Sequence, residues 1–195
     1  LLRGLRNRKI LRVMFVFSAG VTALGTITMM AYLTDLMLLF PPLGPSAFIL
    51  FHTPLAETAS PRNVVSAHTL ALLAGLGSLA LMGLVFPDAA VDAAAGLNWA
   101  KVAAIALAMG LASMAMVVLG CVHPPAAATA LIAAMGFLNT MVQVSGVLIA
   151  VIILVLEAVA FNRILGGLPY PLWRFDPNVI KDHPSLAGLP RHGQT

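Results

Sequence analysis

The sequence predicts an all-α, polytopic membrane protein built as a transmembrane helical bundle. Three observations predict this fold class: 60% of the 195 residues are apolar and 9% are charged, the mean hydropathy is +0.97, and long apolar runs recur along the chain. Soluble proteins carry roughly 25% charged residues. Seven acidic and eleven basic side chains cannot cover the surface of a soluble domain of this length. The composition therefore excludes a soluble enzyme and a disordered regulator.

Most of the basic residues lie in the two polar ends of the chain, residues 1–12 and 162–195. Membrane topology explains this placement, and with it the pI near 9.9, better than nucleic-acid binding does. No nucleic-acid partner is predicted. The lone Cys121 cannot form a disulfide within the chain and says nothing about the redox compartment.

Four apolar runs are long enough to cross a bilayer as unbroken helices. The first has about 21 residues, or roughly 31 Å of helix, and the others have similar reach. Paired alanines, as at Ala19/Ala23 and Ala104/Ala108, predict close helix packing. One transmembrane domain, residues 13–161, is expected between a basic segment, 1–12, and a polar tail, 162–195. The four runs are Val13 to Leu33, Val64 to Phe86, Trp99 to Val117 and Met141 to Phe161.

Two further apolar segments are interrupted by Pro-Pro: Leu36 to Phe51 and Leu119 to Met135. Neither can be one unbroken helix, because proline lacks the amide proton and clashes with the preceding turn. Each segment either crosses as a broken helix or re-enters from one face. Six crossings are favoured, because they place the termini and the Arg62 loop on one face, expected to be cytoplasmic, and the base-free loop 87–98 on the other.

The two Pro-Pro segments also indicate an internal repeat. Aligning them gives the shared pattern PPxxx(S/T)A(F/L)I and pairs Ser46 with Thr129. The halves are residues 13–86 and 99–161. Three crossings in each half would invert the second half relative to the first, an arrangement found in many transporters.

The starts of the two half-helices are the predicted substrate site. Helix starts carry free amide donors and positive dipole ends, which favour a small anion. Free amides in hydrocarbon cost several kcal/mol each, so they are expected to line a cavity. The alternative is that Ser46 and Thr129 bond their own helices and the prolines are only kinks. The predicted set is Pro42, Leu43, Gly44, Ser46, His123, Pro124, Pro125, Ala126, Ala127, Ala128 and Thr129.

Four ionisable side chains are candidates for coupling or for the pore mouth. His123 lies at the second break. It either donates to an anion or carries a proton coupled to transport, or it is a neutral imidazole bonded to carbonyls freed by the break. His68 lies within the third crossing and could pair with His123 as a haem ligand. Arg62 either anchors its loop or guides an anion. Lys101 either snorkels to the interface or faces a pore.

The residues at this point resemble the HPP family of integral membrane proteins, named for a motif that stands here as His123-Pro124-Pro125. The segments PPLGPSAFILF from Pro41, SPRNVVSAH from Ser60 and YPLW from Tyr170 are similar to segments of that family. The resemblance implies four transmembrane helices and, for some members of photosynthetic lineages, an association with nitrite transport. Alanine stands at positions 126 and 127, where the family commonly has glycine.

The expected function is passage of a small inorganic anion, with nitrite as the family-based expectation. The partners are then the anion and the lipid bilayer of a bacterial inner membrane, with both termini cytoplasmic. A homo-oligomer is compatible with so short a bundle. No cofactor, metal site or enzymatic activity is predicted. The alternatives are a pore for small neutral solutes, a haem or redox subunit, and a structural membrane subunit.

Overall fold

The computed structural model describes residues 9–189 and shows helices and turns, with no β-strand in this range. A π-helical turn, Phe161–Leu165, continues the sixth helix, and 3-10 turns lie at Glu57–Ala59, Ala93–Ala95 and Pro184–Leu186. The α-helices are α1 (Lys9–Thr34), α2 (Leu43–His52), α3 (Pro61–Val85), α4 (Trp99–Val118), α5 (Ala126–Ala134), α6 (Met141–Ala160) and the short α7 (Pro177–Asp182).

The prediction of an all-helical membrane protein with four full spans is confirmed. The spans are Ile10–Thr34, Pro61–Val85, Trp99–Val118 and Met141–Leu165, each long and apolar enough to cross a bilayer. The predicted start of the second run, Val64, lies three residues after the observed start, because α3 begins at Pro61, whose fixed φ suits the first helical position. Residues 1–8 of the basic segment and 190–195 of the tail lie outside the described residues.

The helices α2 and α5 are short and begin immediately after the Pro-Pro pairs. Pro42 and Pro125 occupy their N-cap positions with helical backbone angles. With 10 and 9 residues, these helices are about 15 and 14 Å long, so neither can cross a bilayer alone. Each follows a stretch of non-helical chain. Before α5, the helix α4 ends at Val118, and two residues later Gly120 has a left-handed φ of 56°, which favours glycine.

The helices pack around two hydrophobic clusters. One joins α1, α2, α3 and α6 through larger apolar side chains such as Leu43, Leu50 and Leu154. The other joins α3, α4 and α5 and is built mainly from alanine. All four predicted packing alanines, Ala19, Ala23, Ala104 and Ala108, are fully buried. Small side chains let α3, α4 and α5 approach closely where lipid gives no hydrophobic drive for association.

Gly75 marks the closest approach of α3 to α5. A Cβ added there would lie 2.5 Å from the Ala130 carbonyl oxygen and 2.5 Å from the Ala133 Cβ. We expect Gly75→Ala to destabilise the protein by about 1–3 kcal/mol through overpacking against backbone. The control is Gly77→Ala on the same helix, where no atom lies within 4 Å and helix propensity favours alanine. Melting temperatures of the purified variants in detergent check this, and equal values for both would contradict the close approach.

Candidate functional site

Four polar side chains from separate segments meet inside the bundle. Ser46 lies in the first turn of α2, His68 in α3, His123 just before the second Pro-Pro pair and Thr129 in the first turns of α5. All four are fully buried. We call this group the histidine–hydroxyl cluster. It brings together both half-helix starts and both candidate histidines.

The cluster is linked by hydrogen-bonding distances throughout. Ser46 Oγ lies 2.9 Å from His123 Nε2 and 3.2 Å from His68 Nε2. The other nitrogen of His68, Nδ1, lies 2.8 Å from Thr129 Oγ1. The Nδ1 of His123 lies 2.7 Å from the main-chain carbonyl oxygen of Thr58. The chain of contacts therefore runs from Thr129 through His68, Ser46 and His123 to the Thr58 carbonyl.

The Thr58 carbonyl determines where His123 holds its proton. A carbonyl oxygen can only accept, so His123 Nδ1 carries a proton and donates it to Thr58. In a neutral imidazole the Nε2 is then an acceptor, and the Ser46 hydroxyl donates to it. The Ser46 oxygen is left to accept from His68 Nε2, and Thr129 donates to His68 Nδ1. In the neutral cluster every side chain thus has a hydrogen-bond partner, and each group donates to the next one from Thr129 to the Thr58 carbonyl.

Ser46 has a second acceptor within reach, the Pro42 carbonyl oxygen at 2.9 Å. One hydroxyl proton cannot serve both Pro42 and His123. If His123 takes up a second proton at Nε2, it donates to Ser46, and Ser46 turns to Pro42. The cluster can therefore hold one additional proton, and a positive charge, with its hydrogen bonds still satisfied.

The amides expected to be free at the half-helix starts are bonded, so that part of the predicted site is wrong. In α2 the amides of Leu43, Gly44 and Ser46 donate to carbonyls three or four residues earlier. In α5 the amides of Ala126, Ala127 and Ala128 donate to His123, Pro124 and Pro125. The reason is the helical conformation of the second proline in each pair, which forms a tight turn and supplies those carbonyls. Side chains, not amides, are the polar groups available here.

The pairing of His68 and His123 does not fit haem. Their ring centroids are 5.3 Å apart with the planes tilted by 53°. Axial haem ligands must approach the iron from opposite faces of the macrocycle. The Ser46 hydroxyl contacts the Nε2 atoms of both rings, so a macrocycle cannot fit between them.

Arg62 lies outside the cluster and anchors the end of α4. Its guanidinium donates to the Gly120 carbonyl at 2.7 Å and to the Leu119 carbonyl at 3.1 Å. It also lines an open cavity of about 280 Å³ together with Glu57, Asn63, Gly120, Arg174 and Phe175. The geometry thus supports an anchoring role for Arg62 and places its side chain on an open cavity, while the guiding of an anion stays a prediction.

Lys101 is separate from the cluster and is buried at the start of α4. Its ammonium group donates to the main-chain carbonyl of Asp92, in the loop between α3 and α4. A small cavity of about 110 Å³ lies beside it, lined in part by Met135 and Phe137. The lysine therefore holds the loop against the ends of the helices.

Three contributors to the site have no clear signal in the sequence. Thr58 acts through its main-chain carbonyl, which every residue possesses. Tyr170 is buried after the last span and donates its hydroxyl to the Ala59 carbonyl at 2.7 Å. Burial raises the pKa of this phenol, so it stays a donor. Arg174 faces the 280 Å³ cavity and was identified only as a basic residue of the tail.

Comparison with known proteins identifies the family. The family described as "HPP, transmembrane region" matches residues 5–171. The chain belongs to this HPP family. A transmembrane protein of Dictyostelium discoideum is 31% identical to the HPP chain over 146 residues, which cover 71% of this chain and 46% of that protein. The chain thus spans about half the length of this curated relative. No solved structure matches the chain.

The segments that suggested the HPP family from sequence meet at one place in the structure. PPLGPSAFILF contributes Ser46, SPRNVVSAH contributes His68, and the His-Pro-Pro segment contributes His123 and Thr129. YPLW is tied to the same region, because its Trp173 carbonyl accepts from the Arg62 amide at 2.9 Å. In this HPP protein the motifs therefore build and support the histidine–hydroxyl cluster.

Proposed function

We propose that this HPP protein passes a small inorganic anion across the membrane through the histidine–hydroxyl cluster, with nitrite as the first candidate. The observation that carries the proposal is the buried chain of hydroxyl and imidazole groups that links the starts of α2 and α5. Buried polar groups are costly unless they are paired. The hydroxyl and imidazole groups of the cluster keep their hydrogen bonds with or without an extra proton, so the cluster is suited to a change of charge.

An anion gains most at this centre when the cluster holds its extra proton. The protonated imidazole supplies a positive charge, and the Ser46 and Thr129 hydroxyls supply further donors. Opposite charges attract far more strongly in a low-dielectric interior than in water. The anion and the proton together are neutral, so the pair avoids most of the cost of burying a lone charge. Proton coupling through His123 is therefore part of the proposed mechanism.

The cavity that Arg62 and Arg174 line is the proposed entrance. Two of its lining residues are close in sequence to groups of the cluster: Glu57 precedes Thr58, and Gly120 lies three residues before His123. Two guanidinium groups and one carboxylate give the cavity an excess of positive charge. Positive clefts raise the local concentration of anions and speed their encounter.

The finer topology belongs to the same proposal. Six crossings in two inverted halves would bring the starts of α2 and α5 together near the middle of the bilayer, and the contacts through His68 agree with such a meeting. Cytoplasmic termini, a bacterial inner membrane and a homo-oligomer complete the proposed arrangement. Accessibility of introduced cysteines at Arg62 and Asp88 from opposite faces would support six crossings.

Reconstituted liposomes with an internal nitrite probe test the function. We expect nitrite to enter vesicles containing the protein faster than empty vesicles, and to enter faster still under an inward proton gradient. Nitrate, formate and chloride serve as comparison anions. Uptake of all four at the rate of empty vesicles would reject anion passage.

Thr129→Val tests whether the cluster takes part in flux. Valine keeps the shape of threonine and removes the hydroxyl that bonds His68, so we expect flux to fall by about tenfold, corresponding to one hydrogen bond of ~1.5 kcal/mol. The matched control is Thr69→Val in α3, because the Thr69 hydroxyl bonds the Val65 carbonyl of its own helix at 2.8 Å. Equal flux in the two variants would favour a packing role for Thr129.

A pore for small neutral solutes is the second candidate. It is favoured by the bonded amides at both half-helix starts, which remove the donors expected to attract an anion. The neutral form of the cluster offers only hydroxyl and imidazole groups. Flux that is independent of membrane potential and of the charge of the solute would favour this function over anion passage.

A further inference from the structure

Glu157 lies within the last span, Met141–Leu165, three residues before α6 gives way to the π-helical turn. In the structure its carboxyl group faces Thr26 of α1. Fourteen residues, about 21 Å of helix, separate Thr26 from the charged Arg12, and sixteen residues, about 24 Å, separate Glu157 from the start of α6. Glu157 is partly buried and Thr26 is exposed, so the carboxyl lies on the outer seam between α1 and α6, within the membrane-spanning part of both helices.

The hydrogen bonding of Thr26 indicates which group holds a proton. The Thr26 hydroxyl donates to the Thr22 carbonyl at 2.8 Å, so its single proton is used within α1. Its oxygen can then only accept from the neighbouring carboxyl group. A carboxylate beside this oxygen would place two acceptors next to each other, whereas a carboxylic acid has a proton to share with it. The Oε2 atom of Glu157 is itself buried and has no hydrogen-bond partner.

The basic groups on the elements packed against α6 have other partners or lie elsewhere. Arg12 bonds the carbonyls of His52 and Ser185, and the His52 ring stacks on Phe48. Arg62 bonds α4, and His68 belongs to the cluster. Arg163 is exposed and lies six residues, about 9 Å, further along the helix. A charged Glu157 carboxylate would thus lack a counter-ion among the described residues. An unpaired charge within the membrane is energetically costly, and an acid at such a position marks a functional site.

We propose that Glu157 is a proton-binding site within the bilayer that couples anion passage to proton movement. The site takes one proton onto a carboxylate oxygen from water on one side of the membrane and releases the same proton to water on the other. This inference rests on the proposed anion passage. It adds a second proton site, on the seam between α1 and α6, to the histidine–hydroxyl cluster.

The seam is mechanically connected to the cluster through α2. Immediately after α6, the side chain of Asn162 donates to the Leu50 carbonyl of α2 at 3.0 Å. The ring of Phe161 packs edge-on against Phe51 with centroids 5.8 Å apart. Because α2 also carries Ser46, a shift of α6 on loss of the proton would move one member of the cluster.

Chemical modification tests the protonated carboxyl without measuring transport. Dicyclohexylcarbodiimide enters apolar regions and reacts with carboxylic acids. The acid proton moves to a carbodiimide nitrogen, the carboxyl oxygen bonds the central carbon, and the acyl group then migrates to nitrogen with no leaving group. We expect the intact protein in liposomes to gain one reagent mass on the Glu157 peptide and none on the peptide of the exposed Asp88. Absence of the Glu157 adduct would overturn the protonated site.

Coupling is tested by uptake of nitrite driven by a proton gradient. In Glu157→Gln, which keeps the shape of the side chain, we expect the stimulation of uptake by an inward proton gradient to be lost. Asp88→Asn, the control at an exposed acid, should keep that stimulation. A glutamine variant that retains full stimulation would overturn the coupling role. If the wild-type protein itself takes up no nitrite, anion passage and coupling both fail, while carbodiimide labelling still decides whether Glu157 binds a proton.

Discussion

Ser46→Ala is expected to give the largest loss of flux, because this hydroxyl is the link between the two histidines. Its removal leaves His68 Nε2 and His123 Nε2 without their shared partner in a fully buried site. Each buried polar group left unpaired costs about 1–3 kcal/mol. Two such groups correspond to a fall in flux of about a hundredfold or more if the loss appears in the transport step.

The matched control for this change is Ser145→Ala in α6. Ser145 is exposed and bonds the Val142 carbonyl of its own helix at 3.0 Å, so its loss should leave flux and melting temperature near those of the wild type. Nitrite uptake and thermal unfolding should be measured together, because the alanine at position 46 also weakens the fold. A Ser46→Ala variant with wild-type flux would exclude the cluster from the pathway.

His123→Phe is the second substitution for which we expect near-complete loss of flux. Alignment of the two Pro-Pro pairs places Phe40 at the position of His123, and both rings lie beside His68, with centroids 6.1 and 5.3 Å away. Phe40 thus shows that a phenylalanine ring can pack beside His68 in this protein. It cannot donate to the Thr58 carbonyl, accept from Ser46 or carry a proton, so polar partners on both sides are left unpaired.

His52→Phe provides the comparison for this histidine. His52 stacks on Phe48 at the other end of α2, with centroids 4.8 Å apart, so phenylalanine can replace the ring in the same contact. We expect this variant to transport like the wild type. If both histidine variants lose flux equally, the effect comes from changed packing of α2 and not from the chemistry of His123.

The helices that span the membrane could be predicted from the sequence because length and hydropathy decide them. The residues that precede the Pro-Pro pairs could also be predicted to leave the helix, since proline restricts the residue before it. Hydropathy places the start of the second run at Val64 and not at Pro61 because Arg62 and Asn63 are polar, although both belong to the first turn of α3. Hydropathy alone does not detect a helical turn that projects from the bilayer.

The membership of the cluster could be predicted only in part. Ser46 and Thr129 were found by the repeat, and His123 by its place at the break, but their meeting through His68 depends on how α3 packs between the two short helices. The bonded amides could not be foreseen, because they depend on the backbone angles of Pro42 and Pro125. Sequence spacing identified the polar side chains of the cluster, but it overestimated the number of backbone amides that are free to bind a ligand.

The contact at Gly75 affects how this bundle can move. It holds α3, from the first half of the sequence, closely against α5, from the second, so a motion that separates the two halves would break this contact. Ser46 lies on α2, outside the unit of α3, α4 and α5, while His68 and Thr129 lie on α3 and α5 within it. A displacement of α2 relative to this unit would therefore separate Ser46 from His68 and interrupt the hydrogen-bonded chain between the two histidines.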